Sequence, residues 1–278
     1  MNNQRNTRIE PSRSGVPPLC ISPGSIRADE RRSVEDDARA CAEAGFAFVS
    51  LRPTVTRVLS EEGRSLADLP RLLADAGVAC AELTGLTFRR DPAVVATALE
   101  QVLPVLEVCP GAWVLVNYFT RLHDESLARL GLIADQVEAR GGRMAIEFAP
   151  ESGVDSIGVA RQVAEHLGPH RCRVMVDTWH FSRGPSTFED LEALPRGLLA
   201  YVQISDGLPA SGEDMLTESM HRTWPGEGDI DLACIVQTLK DKDYDGMVCV
   251  EVLSSELQQL PVDEFLRLAY ESTVRIWQ

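Results

Sequence analysis

Eight short apolar segments alternate with eight longer helical segments along this 278-residue chain, and the alternation predicts a single (β/α)₈ TIM barrel. The apolar segments are nearly continuous runs, as expected of parallel strands covered on both faces. The segment Ser22–Ser25, after the first predicted strand, is not a glycine-rich phosphate turn, which disfavours a doubly wound open sheet. We expect the barrel over residues 16–278 and a flexible tail over residues 1–15.

Each predicted strand is short and rich in β-branched or aromatic residues. The eight predicted strands are Leu19–Ser22, Phe46–Leu51, Val78–Leu83, Trp113–Tyr118, Arg143–Phe148, Arg173–Asp177, Ala200–Ser205 and Met247–Val252. The helical segments carry end signals, such as a serine or proline at the start and a glycine after the end. The eight predicted helices are Ser33–Ala44, Ser65–Ala76, Pro92–Val108, Glu125–Arg140, Ser156–Leu167, Thr187–Leu194, Asp231–Lys240 and Val262–Trp277.

Charge and composition exclude several classes of function. The chain has 27 basic and 42 acidic residues, and its net charge of −15 repels a nucleic-acid backbone. No apolar run approaches the roughly 20 residues of a membrane span, and Pro17, Pro18 and Pro23 interrupt the stretch where a secretory signal would lie. The seven cysteines include no CxxC pair. These features predict a protein of the reducing cytoplasm that binds neither nucleic acid nor membrane.

Polar residues end or interrupt four successive apolar strands: Glu147, Asp177, Gln203 and Glu251. Active sites of (β/α)₈ barrels lie at the carboxyl ends of the strands, so these side chains are expected to converge. Three converging carboxylates repel one another unless a cation compensates them. Carboxylate and amide oxygens suit Mn²⁺ or Mg²⁺ better than zinc. The four residues therefore predict a site for one divalent cation, with Mn²⁺ preferred and Mg²⁺ or Co²⁺ as alternatives.

Other residues near these strand ends are candidates for binding a substrate. His180 follows Asp177 by three residues and is expected at the mouth of the barrel, near a substrate oxygen. Trp179 forms an apolar wall of the pocket or packs in the core, and Arg222 either reaches the site or stays on the surface. Three earlier strand ends offer further pocket candidates, which are Arg52, Glu82 and Asn117.

One connection, Asp206–Asp229, is much longer than the usual loop of about 2–6 residues, which suggests a functional role. Its Pro225–Gly228 segment contains two glycines that could cradle a phosphate. Glu227 and Asp229 would repel a phosphate, so we expect a rigid turn in which Asp229 or a neighbour caps the next helix.

Five stretches give the chain a recognisable resemblance: Ala145–Glu147, Val176–His180, Val202–Asp206, Pro225–Gly228 and Val250–Val252. In these stretches the chain resembles the xylose-isomerase-like TIM-barrel superfamily, the sugar phosphate isomerase/epimerase group. The resemblance implies a divalent metal, usually manganese, on the four strand-end residues, and proton transfer by Glu147 and Glu251. Many members have histidine where this chain has Gln203, although some branches, including inositol-catabolism-like enzymes, resemble the Gln-Ile-Ser-Asp form.

The expected function is that of a metal-dependent isomerase or epimerase, which moves protons on a sugar or related polyhydroxy carbonyl compound through an enediolate. A dehydratase of an inosose or a dehydroshikimate-like compound is the alternative. An endonuclease-IV-like hydrolase is disfavoured, because that chemistry needs a histidine-rich metal cluster and this chain has five histidines. A non-catalytic subunit stays open. The expected partners are a small polyol or keto-sugar and further copies of the chain in a homo-oligomer.

Overall fold

The computed structural model describes residues 15–26, 32–88 and 92–278, and it confirms the predicted barrel. Eight parallel strands close in the order β1-β10-β7-β6-β5-β4-β3-β2, and β8 and β9 form a separate antiparallel ribbon. The strands are β1 (Leu19–Ile21), β2 (Phe48–Leu51), β3 (Ala79–Phe88), β4 (Trp113–Tyr118), β5 (Arg143–Glu147), β6 (Cys172–Asp177), β7 (Leu199–Ile204), β8 (Asp206–Gly207), β9 (Arg222–Thr223) and β10 (Val248–Val250). Apart from Gly15, the tail expected at residues 1–15 lies outside the described residues.

The α-helices lie between the strands and cover the barrel. They are α1 (Val34–Ala44), α2 (Val55–Glu61), α3 (Leu69–Ala76), α4 (Pro92–Val108), α5 (Asp124–Glu138), α6 (Ile157–Leu167), α7 (Thr178–Arg183), α8 (Phe188–Ala193), α9 (Met215–Glu218), α10 (Leu232–Asp241) and α11 (Val262–Trp277). The end signals act as expected in α1, where the Ser33 side chain accepts a hydrogen bond from the Asp36 backbone and Gly45 is left-handed at φ 107°. None of the helices in the described part of the chain is long and apolar enough to cross a bilayer.

The structure corrects the predicted elements at five places. Helices α2 and α7 were not predicted. The predicted helix Ser65–Ala76 begins instead as a short 3₁₀ turn at Leu66–Asp68, before α3 starts. Strand β3 runs five residues beyond its predicted end at Leu83. Its register with β4 shifts between Leu83 and Leu86, and the pairing resumes after the shift. The long connection Asp206–Asp229 is not an open loop, since it contains β8, α9 and β9.

The hydrophobic core has two parts, one between the strands and the helices and a smaller one inside the barrel. The inner part includes Trp113, Leu115, Ala145, Met175, Tyr201 and Cys249. Side chains alternate along a strand, so the residues two positions beyond Ala145 and Met175 also point inward. These residues are Glu147 and Asp177, and they lie at the carboxyl ends of β5 and β6. The apolar inner layer therefore forms the floor beneath the polar strand ends.

Candidate active site

A cavity of about 520 Å³ opens at the carboxyl end of the barrel, where the sequence predicts the site. Its lining includes six of the predicted site residues, Asn117, Glu147, Trp179, His180, Arg222 and Glu251. Arg52, a further pocket candidate, also lines it. Cavities of roughly 300–1,000 Å³ are typical of small-molecule sites. A second cavity, of about 590 Å³, lies near α1 and α2; it shares Pro23 and Arg52 with the first cavity, but its lining includes none of the strand-end carboxylates.

Three of the candidate residues form a compact group that could hold a metal ion. One ligand atom each from Glu147, Asp177 and His180 lie within 4.8 Å of one another. His180 Nε2 lies 3.3 Å from Glu147 Oε1, and the Asn117 amide donates to Glu147 Oε2. The structure thus places Asn117 against a predicted catalytic carboxylate, where it fixes the orientation of that carboxylate at the edge of the cavity.

Asp177 is held by the start of helix α7. Its Oδ1 accepts the His180 backbone N–H at 2.8 Å, which caps the helix, and its Oδ2 accepts Arg222 Nη1 at 2.8 Å. Burial alone would raise the pKa of Asp177, but the positive charges of Arg222 and His180 hold the pKa below its ordinary value. Asp177 is therefore an anionic oxygen donor at the base of the site.

Glu251 follows strand β10, and its side chain is 13% exposed. Its Oε1 accepts the Ser22 hydroxyl at 2.8 Å, and its Oε2 lies 3.5 Å from Arg222 Nη1. Burial raises the pKa of Glu251 to about 7 against the opposing effect of Arg222, and the negative charges of Glu147 and Asp177 add to the rise. Ser22 was not predicted as a site residue, although it ends the first predicted strand, as Asp177 ends the sixth.

Arg222 lies inside the site and not on the surface. It reaches the site from β9, and only 2% of the residue is exposed. Its guanidinium bonds Asp177 and lies 5.0 Å from the centre of the Trp179 ring, which is itself buried. Burial opposes the charge, but the surrounding carboxylates keep the pKa of Arg222 above its ordinary value. The ribbon of β8 and β9 therefore places the positive charge of Arg222 in the site. Trp179 packs beside the guanidinium and forms one wall of the cavity.

Gln203 and Glu82 lie deeper, within the barrel. Gln203 is fully buried, and its Nε2 donates to Glu82 Oε2 at 3.4 Å. Its Oε1 is buried and has no hydrogen-bond partner in the described part of the chain. The prediction of Glu82 as a strand-end pocket residue is wrong, because β3 continues past it and leaves it inside the barrel, with Ser50 donating to its Oε1 at 2.6 Å. Burial raises the pKa of Glu82.

The donor set of this site fits a divalent cation. Glu147 and Asp177 belong to the compact group with His180, whereas Glu251 and Gln203 lie outside it. Arg222 joins Asp177 to Glu251, at 2.8 and 3.5 Å, and compensates one of these negative charges. Gln203 adds a buried carbonyl oxygen that lacks a donor within the described residues. A buried acceptor without a donor is unfavourable, and a bound cation would satisfy it together with the remaining negative charge.

The turn at Pro225–Gly228 is built around the buried carboxylate of Asp206. Asp206 Oδ2 accepts the Gly226 N–H and Oδ1 accepts the Ile230 N–H, both at 3.0 Å. A Cβ on Gly228 would lie 2.3 Å from Asp206 Oδ1, so a side chain does not fit there. These contacts hold the segment in a fixed turn, as predicted. The Gly226 N–H, which a phosphate would need as a donor, is already bonded to Asp206.

The sequence profile described as the xylose isomerase-like TIM barrel matches residues 38–269, most of the barrel. The chain belongs to this family. A protein named inosose isomerase from Halalkalibacterium halodurans is 30% identical over 140 residues, which is 49% of this chain and 48% of that protein. An inosose isomerase from Bacillus velezensis is 24% identical over 259 residues, which is 88% of this chain and 92% of that protein. The chain spans about half the length of the first two curated relatives it matches, 48% and 52%.

Solved structures share the fold. A crystal structure of the IolI protein with a binding zinc atom superposes with a TM-score of 0.80 at 21% identity, covering 93% of this chain and 97% of that chain. An L-ribulose 3-epimerase gives a TM-score of 0.69 at 18% identity and covers 94% and 96% of the two chains. The probable 3-DHS dehydratase AsbF from Bacillus anthracis gives 0.72 at 12% identity and covers 91% and 97%. At these identities the similarity establishes the fold.

Proposed function

We propose that this protein is a divalent-metal-dependent isomerase or epimerase of a polyhydroxy carbonyl compound, with an inosose as the first candidate substrate. Family membership and the curated relatives named inosose isomerase support this class of activity. The size of the cavity suits a molecule of this kind.

The arrangement of Glu147 and Glu251 is the observation on which the proposal depends. They come from β5 and from the end of β10, and both line the same cavity. Each carboxylate is held separately, Glu147 by Asn117 and His180, and Glu251 by Ser22 and Arg222. Two fixed carboxylates on different sides of one cavity can exchange protons with different positions of a bound substrate.

We assign the cation to Glu147, Asp177, Gln203 and Glu251. Their oxygen-only chemistry favours Mn²⁺, with Mg²⁺ or Co²⁺ as alternatives. When bound, a cation of this kind acts as a Lewis acid that polarises the carbonyl group of a substrate.

The remaining chemistry belongs to the side chains. One of Glu147 and Glu251 removes the proton from the carbon beside the carbonyl, and a proton is then returned to the substrate. Return to the opposite face of the same carbon inverts that centre. Return to the neighbouring carbon, with the hydroxyl proton passing to the former carbonyl oxygen, exchanges the carbonyl and hydroxyl positions. His180 and Arg222 line the cavity, so we assign their side chains to the substrate oxygens. Trp179 closes one wall of the cavity.

Exchange of the substrate α-proton tests this proposal. The protein is loaded with Mn²⁺ and incubated with an inosose in D₂O, and incorporation of deuterium is followed by NMR. We expect exchange in the wild type and a loss of roughly 100-fold or more in Glu147→Gln and in Glu251→Gln. Glu271→Gln is the matched control, because Glu271 forms an exposed ion pair on α11. Wild-type exchange in both site variants would contradict the assignment, and elimination of water in the same spectra would indicate the dehydratase alternative.

A further inference from the structure

The hydrogen bond between Glu82 and Gln203 connects opposite sides of the barrel. Strands β3 and β7 stand four places apart in the closed order of eight, so the two side chains meet across the interior. Both residues are fully buried, and neither is among the residues that line the cavity. Glu82 therefore lies beyond the direct reach of a substrate in that cavity.

Glu82 is a costly residue to place there. A buried carboxylate loses its hydration, and three side chains with donor groups surround this one. Ser50 donates to Oε1 at 2.6 Å and Gln203 donates to Oε2 at 3.4 Å. Burial and the negative charge of Glu82 raise the pKa of the Tyr201 hydroxyl. The Glu82 carboxylate therefore accepts hydrogen bonds from Ser50 and Gln203, and its role as an acceptor determines how the Gln203 amide is oriented.

An amide side chain has two chemically different ends of almost the same shape. Only the NH₂ end of Gln203 can face a carboxylate favourably, because two facing oxygens repel each other. Glu82 thus selects the orientation in which Nε2 points to the carboxylate and Oε1 points elsewhere. That Oε1 is the buried oxygen without a partner, and Gln203 lies beside Asp177 in the strand pairing.

We propose that Glu82 is a positioning residue, which holds the Gln203 amide with its oxygen free to bind the divalent cation. This inference rests on the proposed function, because it assumes that Gln203 is a ligand. Residues that hydrogen-bond a metal ligand without contacting the metal orient that ligand, and their loss typically weakens metal binding by about 10–100-fold.

The test measures Mn²⁺ affinity by calorimetry on protein stripped with a chelator, with no substrate present. Glu82→Gln keeps the shape of the side chain but lets the Gln203 amide adopt either orientation, so we expect Mn²⁺ to bind about 10–100-fold more weakly. Glu82→Asp keeps the charge but moves the carboxylate away from Gln203, and we expect this variant also to bind Mn²⁺ more weakly than the wild type. Thermal melts of the stripped variants establish that they are folded.

A Gln203→Ala background separates orientation from charge. If Glu82 acts through the amide, Glu82→Gln weakens Mn²⁺ binding clearly less in this background than in the wild type. An equal loss in both backgrounds, or wild-type affinity in both Glu82 variants, would overturn the inference and leave the proposed function standing. Failure of the wild type to bind Mn²⁺ would instead overturn the proposed metal site together with this inference.

Discussion

Replacing Arg222 with methionine should destabilise the metal-free protein strongly. The side chain is 1% exposed and bonds Asp177, which is fully buried, so the substitution leaves carboxylates inside the protein without their positive partner. Breaking a buried pair from one side costs about 3–5 kcal/mol. The entropy of unfolding, at about 2.1 cal/mol/K per residue over 278 residues, is about 0.6 kcal/mol/K. The expected fall in Tm is therefore about 5–8 °C.

The assay is a thermal melt by circular dichroism in the presence of a chelator, with Arg267→Met as the control. Arg267 pairs with Glu271 on the exposed face of α11, where an ion pair contributes about 0.3–0.5 kcal/mol. Adding Asp177→Asn to Arg222→Met should recover part of the lost stability, because it removes a carboxylate that has lost its partner. A fall in Tm no larger than that of the control, or no recovery in the double variant, would show that Arg222 does not compensate the buried carboxylates.

Two further predictions concern stability. The stabilising effect of Arg222 on Asp177 should be fully present above the ordinary aspartate pKa of about 3.9 and be lost as the pH falls through the lower pKa of Asp177 in the folded protein. Denaturant unfolding with a chelator present should therefore show the difference in unfolding free energy between the wild type and Arg222→Met narrowing below about pH 4. A difference that stays constant with pH would contradict this prediction. Gly228→Ala should lower the free energy of unfolding by about 1–3 kcal/mol in a thermal melt, because the new Cβ would lie 2.3 Å from Asp206 Oδ1. Gly197→Ala is the control and should be nearly neutral, because a Cβ there meets open space. Equal effects of the two substitutions would be inconsistent with a rigid turn.

The barrel could be predicted because its main signals are local. A parallel strand covered on both faces appears as a short apolar run, and the helices between the runs carry serine and glycine at their ends. The same signals locate the strand ends, which is why Glu147 and Asp177 were predicted as neighbours. Helix α7 escaped prediction because Asp177 serves both as a site residue and as the helix cap, and the chain turns directly from strand into helix there.

The partners within the site could not be predicted, because they depend on contacts between distant segments. Arg222 and Asp177 are 45 residues apart, and their bond requires the ribbon of β8 and β9 to fold back over the mouth of the barrel. The depth of Glu82 depends on how far β3 extends, and an irregular strand pairing determines this. A single sequence shows which polar residues end the strands, but not which of them compensate each other.

Anomalous diffraction from crystals grown with Mn²⁺ locates the bound cation relative to its four proposed ligands. We expect one anomalous peak per chain, in coordination contact with oxygens of Glu147, Asp177, Gln203 and Glu251. A peak that excludes Gln203 or Glu251, or a crystal without any peak at this position from protein that exchanges the substrate proton, would contradict it.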